Sequence, residues 1–94
     1  LMRSRYTAFV LERADYLLAT WAPAKRPSQV RFDPGAKWLG LEVRAFAESD
    51  SDHATVEFVA RQREATGRAI RLHERSRFVR ENDRWYYLDG DIAP

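Results

Sequence analysis

Apolar side chains recur with two different periods along this 94-residue chain. From about residue 2 to residue 21 they return every three or four positions, which is the period of one face of an amphipathic helix. The stripe consists of Tyr6, Val10, Ala14, Leu17 and Trp21. Arg3 would project onto the middle of this stripe, whereas Arg5 would lie away from it. Pro23 ends the predicted helix, and residues 22–37 are predicted to form a loop.

From residue 38 onward the apolar period falls to two, which is typical of strands that bury one face. Four antiparallel strands are predicted, at residues 38–48, 53–63, 68–78 and 84–89. Turn-forming residues separate them, at residues 49–52, 66–67 and 82–83. The first strand would turn five side chains to the core, namely Leu39, Leu41, Val43, Ala45 and Ala47.

The turns also predict how the strands pair. The first hairpin would align Glu48 with His53, Val43 with Phe58, and Arg44 with Glu57. The last hairpin would align Glu81 with Arg84, Phe78 with Tyr87, and Ser76 with Asp89. Apolar positions then share one face throughout. This predicts an α+β fold, in which a curved antiparallel sheet of about four strands is packed by the N-terminal helix.

The third predicted strand carries one carboxylate among apolar neighbours. Its inward positions are Ile70, Leu72, Glu74, Ser76 and Phe78, and its outward positions are Arg71, His73, Arg75 and Arg77. A lone acid on an apolar face is costly unless it is paired, hydrogen-bonded or protonated. Glu74 is therefore the best indication of a site in this sequence.

A cluster of polar and aromatic side chains is predicted around Glu74 on the concave face. Its candidate ligand-binding members are Arg3, Tyr6, Trp21, Glu74, Ser76, Tyr87 and Asp89. In one interpretation Arg3 pairs with Glu74 and only ties the helix to the sheet. In the other, Glu74 or Asp89 is a general base and a tyrosine polarises an oxygen. Neither histidine falls on this face to activate a nucleophile, so no catalytic residue is assigned.

The opposite face of the sheet is predicted to be basic. The outer side chains of the second and third strands include Arg61, Arg63, Arg71, Arg75 and Arg77. Such a row is able to follow the phosphates of a nucleic acid. Glu42 and Glu57 interrupt it and the net charge is only +2, so a solvated ladder of salt bridges is favoured. Three apolar side chains also point outward, namely Val79, Tyr86 and Leu88. They suggest that part of this face is covered by a flanking segment or by a partner, such as a second copy in a homodimer.

Composition narrows the class of protein. Ninety-four residues, 45% hydrophobic and 32% charged, fit one small globular domain. The chain has no Cys, and two histidines cannot form a zinc site unaided, so no metal or other cofactor is expected within it. There is no apolar run of about eighteen residues and no signal-peptide pattern. These features favour a cytoplasmic protein that makes no membrane contact.

Six segments closely resemble the bacterial YchJ family: LMRSRYTAFV (1–10), ADYLLATW (14–21), WLGL (38–41), FVAR (58–61), ERSRF (74–78) and WYYLDG (85–90). They cover nearly the whole chain in the right order. The resemblance implies the middle domain of that family, with a nuclear-transport-factor-2-like (NTF2-like) cone fold whose cavity carries ligands or acid–base residues. It also implies Cys-rich zinc motifs, of the kind found at the C-terminus of SecA, outside residues 1–94.

The patterns and the resemblance together favour a single domain over residues 1–94, a segment of a longer protein. We expect it to be a non-catalytic module that binds an unknown small molecule or protein. The alternatives are a small-molecule enzyme that uses Glu74 and Asp89, and nucleic-acid binding through the outer arginine face. A closed, fully paired Glu74 would favour the module, whereas an unpaired Glu74 beside an open cavity would favour chemistry.

Overall fold

The computed structural model describes residues 1–32 and 34–92, which form two short helices followed by four strands. The helices are α1, Met2–Val10, and α2, Ala14–Ala19. The strands are β1, Lys37–Asp50; β2, His53–Arg63; β3, Ala69–Glu81; and β4, Arg84–Ile92. They pair antiparallel in the order β1-β2-β3-β4, so the predicted α+β class and four-stranded sheet are confirmed. Asp33 of the predicted loop and residues 93–94 of the predicted domain lie outside the described residues.

The single helix predicted for residues 2–21 is wrong, because α1 ends ten residues into the chain. Glu12 has a φ of 55°, in the left-handed region. The N–H of Glu12 donates to the carbonyl of Phe9 at 3.3 Å, and the N–H of Arg13 donates to that of Ala8 at 2.8 Å. This is the hydrogen-bond pattern of a Schellman cap, which closes a helix and turns the chain. The predicted stripe is therefore broken, and its member Val10 is 46% exposed.

Strands β2 and β3 pair without irregularity along their whole length. Three of the predicted alignments are confirmed, namely Val43 with Phe58, Phe78 with Tyr87, and Glu81 with Arg84. Side chains directly opposite each other share a face. The inner face of β2 and β3 supplies most of the core. The buried apolar residues of the core include Ala8, Leu17, Ala22, Ala54, Val56, Phe58, Ala60 and Phe78.

Irregular pairing in β1 overturns two predicted alignments. The register shifts between Val43 and Ala45 and again between Glu48 and Asp50. An extra residue in one strand reverses the faces of the side chains that follow it. The residues opposite Glu57 and Glu48 are consequently Ala45 and Ala54, so the predicted pairs Arg44–Glu57 and Glu48–His53 are wrong. Of the five predicted core positions, Leu41 and Val43 face inward as expected, whereas Leu39, Ala45 and Ala47 do not. Trp38 and Phe46 face inward instead.

A bulge in β4 overturns the third alignment. Leu88 is an extra residue between the pairs Phe78–Tyr87 and Arg77–Asp89. As a result Gly90, and not Asp89, lies opposite Ser76. Asp89 is thereby placed on the outer face of the sheet, the opposite of its predicted position.

The segment that follows α2 is fixed to β4 by two backbone hydrogen bonds. The N–H of Ala22 donates to the carbonyl of Tyr87 at 2.7 Å, and the N–H of Tyr87 donates to that of Thr20 at 2.8 Å. Trp21 therefore lies beside Tyr87, with ring centroids 5.2 Å apart and planes at 79°. This edge-to-face pair connects the helices to the sheet where the predicted site lies.

Candidate functional site

A cavity of about 240 Å³ lies between the helical segment and the inner face of the sheet. Half of the residues that line it are aromatic, namely Tyr6, Phe9, Trp21, Trp38, Phe58 and Tyr87. Glu74 and Ser76 of β3 form a polar part of the wall. Five of the seven predicted site residues, Tyr6, Trp21, Glu74, Ser76 and Tyr87, therefore line one cavity.

Glu74 is half-buried and is held by two hydroxyl groups. The Ser76 hydroxyl donates to Glu74 Oε1 at 2.9 Å, and the Tyr87 hydroxyl donates to the same oxygen at 3.3 Å. Within residues 1–32 and 34–92, Glu74 Oε2 accepts no hydrogen bond and no Arg, Lys or His forms an ion pair with the carboxylate. The carboxylate thus has one oxygen oriented by the protein and a second oxygen free to accept a donor from a ligand.

Gly90 makes room for this carboxylate. It lies opposite Ser76 in the sheet, and a Cβ at this position would come 2.9 Å from Glu74 Cδ and still closer to Oε1. Carbon atoms need about 3.5–4.0 Å between them, so only glycine fits while Glu74 keeps its position. The sequence reasoning missed Gly90, because its importance follows from the bulge in β4.

Arg5, and not Arg3, is the inward arginine of the helix. Arg5 is only 3% exposed and lines the cavity with Glu74. Its Nη1 donates to the carbonyl of Leu17 at 2.9 Å and to Thr20 Oγ1 at 2.6 Å. The guanidinium carbon lies 4.7 Å from the Tyr87 ring centroid and 5.2 Å from that of Trp21, within range of a cation–π contact.

Arg5 could have been found from the sequence by a shorter helical window. Ala8 and Phe9 stand three and four residues after it, so a short helix places Arg5 on their face. Burial lowers the pKa of Arg5 to about 10, and the guanidinium remains charged at neutral pH.

Tyr87 connects Arg5 with Glu74, since its ring contacts the guanidinium and its hydroxyl contacts the carboxylate. Burial, the charge of Glu74 and the hydrogen bond to it together raise the pKa of Tyr87 to about 12. At neutral pH the phenol is therefore protonated and acts as a hydrogen-bond donor. The buried indole nitrogen of Trp21 has no hydrogen-bond partner among the described residues. With Glu74 Oε2, it is the second polar atom in this region that lacks a partner there.

Two predicted site residues do not join the cavity. Arg3 is exposed and lines a separate apolar concavity of about 400 Å³, where Glu48 also lies. Asp89 is on the outer face and forms an ion pair with Arg77. The predicted Arg3–Glu74 ion pair and the predicted pairing of Glu74 with Asp89 in one site are both wrong. The helix break replaces Arg3 by Arg5, and the bulge at Leu88 removes Asp89.

The outer face contains acid–base pairs along its central part. Glu57 contacts His73 at 2.9 Å and Arg75 at 3.5 Å, and the hydrogen bond from His73 is the main cause of a lowered Glu57 pKa. Arg77 contacts both Asp91 and Asp89, which raise the pKa of the guanidinium. The other predicted basic residues, Arg61, Arg63 and Arg71, lie on this face beyond these pairs.

Residues 1–32 and 34–92 contain no group of three or more His, Cys, Asp or Glu side chains arranged to hold a metal ion. Neither helix in the described part of the chain has the length and apolar character that a membrane crossing requires.

Comparison with known proteins places this chain in a family. A family model described as the YchJ middle NTF2-like domain matches residues 1–90. The chain belongs to the YchJ family. A UPF0225 protein of Polaromonas naphthalenivorans is 71% identical over 91 residues, which are 97% of this chain and 66% of that protein. A UPF0225 protein of Bordetella pertussis is 63% identical over 95 residues, which cover 98% of this chain and 69% of that protein. This YchJ-family chain thus spans about two thirds of the length of these relatives.

Solved structures share the fold of this YchJ-family domain. A SEC-C motif-containing protein from Rhodopseudomonas palustris matches with a TM-score of 0.85 and 35% identity, over 99% of this chain and 76% of that one. A SEC-C motif-containing protein from Psychrobacter arcticus matches with a TM-score of 0.74 and 32% identity, over 99% of this chain and 59% of that one. The NTF2-like architecture expected from the sequence is confirmed.

Proposed function

We propose that this domain is a non-catalytic binding module whose inner cavity holds one small ligand. The observation that carries the proposal is the state of Glu74. Its Oε1 is fixed by Ser76 and Tyr87, while its Oε2 has no partner among the described residues and the carboxylate forms no ion pair there. A preoriented carboxylate on an aromatic wall is suited to hold a cationic or hydrogen-bond-donating group of a ligand.

By the criterion given in the sequence analysis, an unpaired Glu74 beside an open cavity favours acid–base chemistry over the module. Three other observations argue for binding instead. Asp89, the second carboxylate of the enzymatic alternative, lies on the outer face with Arg77. Tyr87 has a pKa raised to about 12, which makes it a poor proton donor at neutral pH. Arg5 is buried and engaged with Leu17 and Thr20. Glu74 is then without a second proton-transfer group, and binding is the simpler role.

The cavity also suggests the kind of ligand. Its volume of about 240 Å³ is below the range of roughly 300–1,000 Å³ that is usual for drug-sized ligands, so a compact ligand is expected. Six aromatic rings favour an apolar or aromatic body, and their faces also favour a positive charge. Arg5 also lines the cavity, but its guanidinium already packs against the rings of Trp21 and Tyr87, and its Nη1 donates to the carbonyl of Leu17. Glu74 is therefore the charged group with an oxygen left for a ligand. We therefore favour a small amine with an apolar body.

A matched series of three compounds tests this proposal. Benzylamine, benzyl alcohol and benzoate have the same aromatic body and carry a positive, a neutral and a negative head group. We expect benzylamine to bind best, measured by titration calorimetry and by shifts of backbone amide signals around β3. Glu74→Gln should weaken benzylamine binding by about tenfold or more, because a hydrogen bond to a charged group is worth about 1.5–3 kcal/mol.

The control variant is Glu48→Gln, which removes the same charge from the other concavity. It should bind benzylamine as the parent chain does. Preferential binding of benzoate, no binding of any of the three compounds, or an equal loss in both variants would overturn the proposal.

Further predictions concern the protein that contains this domain. Both structural neighbours are SEC-C motif-containing proteins, which supports the proposal that the domain acts in a protein of that type, with any zinc held outside residues 1–94. A cytoplasmic location and a homodimer through the outer face stay predictions. The side chains that would form the dimer interface, Val79, Tyr86 and Leu88, are each only partly buried in the isolated chain.

A further inference from the structure

One end of the outer face contains four cations on two neighbouring levels of the sheet. Lys37 of β1 lies directly opposite Arg63 of β2. On the next level Arg61 of β2 lies directly opposite Arg71 of β3. All four side chains are exposed and share the outer side. We call this group the basic end.

The basic end differs from the rest of the same face. Farther along, Arg75 contacts Glu57, and Arg77 contacts Asp89 and Asp91. Among residues 1–32 and 34–92, no ion pair involves any of the four cations of the basic end. Like charges directly opposite each other in an antiparallel pair are destabilising. The basic end therefore contains two unfavourable like-charge pairs, whereas the arginines farther along the face have acidic partners.

The geometry leaves space for an anion between these side chains. Gly40 lies opposite Arg61 on the β1 side, and a Cβ placed there would meet no atom within 4 Å. The bulge at Leu39 places both Lys37 and Gly40 on the outer face. Arg63 is oriented by a hydrogen bond from its Nη1 to the carbonyl of Gly67 at 3.2 Å.

We propose that the basic end is a phosphate-binding site in which Arg61 and Arg71 hold one phosphate group, with Lys37 and Arg63 beside it. Directly opposed residues have Cβ atoms about 4.5–5.5 Å apart, so two guanidinium groups reach one tetrahedral anion. Guanidinium forms paired hydrogen bonds with phosphate oxygens, and the bound anion would offset the repulsion between the two arginines. The site is on the opposite face from the cavity of Glu74, and it stands independently of the function proposed for that cavity.

Phosphate groups occur in free nucleotides and in nucleic-acid backbones, and the experiment separates these sources. The parent chain is titrated with inorganic phosphate, with adenosine monophosphate and with a short single-stranded oligo-uridine RNA. Affinity for the RNA is measured by fluorescence anisotropy between about 50 mM and 200 mM NaCl. Tighter binding of the RNA with a steep salt dependence indicates the backbone as the source. Equal binding of the monophosphate and the RNA indicates a free phosphate.

Two double variants of equal charge provide the decisive comparison. Arg61→Gln with Arg71→Gln should weaken binding of the phosphate probe by at least about tenfold. For the RNA, the salt slope should also fall by about 0.7 for each phosphate contact removed. Arg75→Gln with Arg77→Gln removes the same charge from arginines that already have acidic partners, and it should bind as the parent chain does.

Folding and charge are controlled separately. Circular dichroism establishes that each variant is folded, and Arg61→Lys with Arg71→Lys keeps the charge while it removes the guanidinium geometry. This Lys variant should bind more weakly than the parent chain and more tightly than the Gln variant. The proposal is overturned if none of the three probes binds the parent chain, or if both Gln variants lose affinity equally, since only the net charge would then matter.

Discussion

Gly90 of β4 lies beneath the carboxylate of Glu74 of β3, and a methyl group on Gly90 would lie 2.9 Å from Glu74 Cδ. The two residues are not directly opposite, since Gly90 is aligned with Ser76. The Glu74 side chain extends across the sheet to reach it. This contact ties the position of Glu74, the one carboxylate among the described residues that line the 240 Å³ cavity, to a residue with no side chain.

Gly90→Ala is expected to displace the Glu74 carboxylate and to weaken its hydrogen bonds from Ser76 and Tyr87. Overpacking of this kind costs about 1–3 kcal/mol of unfolding free energy, measured by urea denaturation. The control is Gly40→Ala, because a Cβ at Gly40 meets no atom within 4 Å and should leave stability within about 0.5 kcal/mol. Equal stability of the two variants would show that the Glu74 carboxylate moves aside without cost and that Gly90 does not set its position.

Arg5→Met is expected to destabilise the domain by about 1–3 kcal/mol, because it removes the shorter of the two hydrogen bonds to the buried carbonyl of Leu17 and leaves only the Thr20 hydroxyl, at 3.4 Å. Arg3→Met, on the exposed side of α1, should change stability by less than about 0.5 kcal/mol. Chemical denaturation of both variants measures the difference. A larger loss in the Arg3 variant would contradict the placement of Arg5.

Glu74→Gln tests whether Arg3 is coupled to the carboxylate. Since Arg3 lines a different concavity from Glu74, the losses from Arg3→Met and Glu74→Gln should add within about 0.5 kcal/mol in the double variant. Denaturation of the four proteins of this cycle gives the coupling energy. A coupling well above this limit would mean that Arg3 does reach Glu74.

Tyr87 is expected to make stability depend on pH in the alkaline range. Its pKa is raised from 10.0 to about 12, so the folded state holds the phenolic proton more tightly than the unfolded chain does. Its contribution to stability is therefore complete below about pH 10 and is lost as the pH rises through about 12. Spectrophotometric titration should show a late tyrosine ionisation that Tyr87→Phe abolishes. Tyr86→Phe, which changes an outer-face tyrosine, should leave it in place; loss of the late step there would contradict the assignment.

Arg71→Glu is expected to stabilise the fold, since it converts the repulsive Arg61–Arg71 pair into an opposite-charge pair worth about 0.2–1 kcal/mol. Arg75→Glu is the matched change on the same strand, and it should destabilise because Arg75 lies opposite Glu57. Thermal unfolding at low and at high salt measures both effects, which salt should reduce. A destabilised Arg71→Glu chain would show that the basic end is not under electrostatic strain.

The sequence by itself determined the fold class, the strand count and most of the inner wall of the cavity. Strands β2 and β3 pair without irregularity, so the period of two correctly placed Phe58, Glu74 and Ser76 on one face. The tight turn at Asn82 and Asp83, both with positive φ, likewise fixed Phe78 opposite Tyr87. Where two strands pair regularly, the period of two holds along their whole length. The apolar–polar pattern is then sufficient to assign each side chain to a face of the sheet.

The tertiary structure decided which way the side chains near each irregularity point. The extra residue Leu88 moves Asp89 to the outer face and brings Gly90 under Glu74. The cap at Glu12 ends α1 and places Arg5, in the position expected for Arg3, against Trp21 and Tyr87. A single inserted residue or one left-handed residue changes the direction of every side chain after it, at a small cost in local energy. Packing of the whole domain selects where such an irregularity occurs, and an apolar–polar pattern does not record that choice.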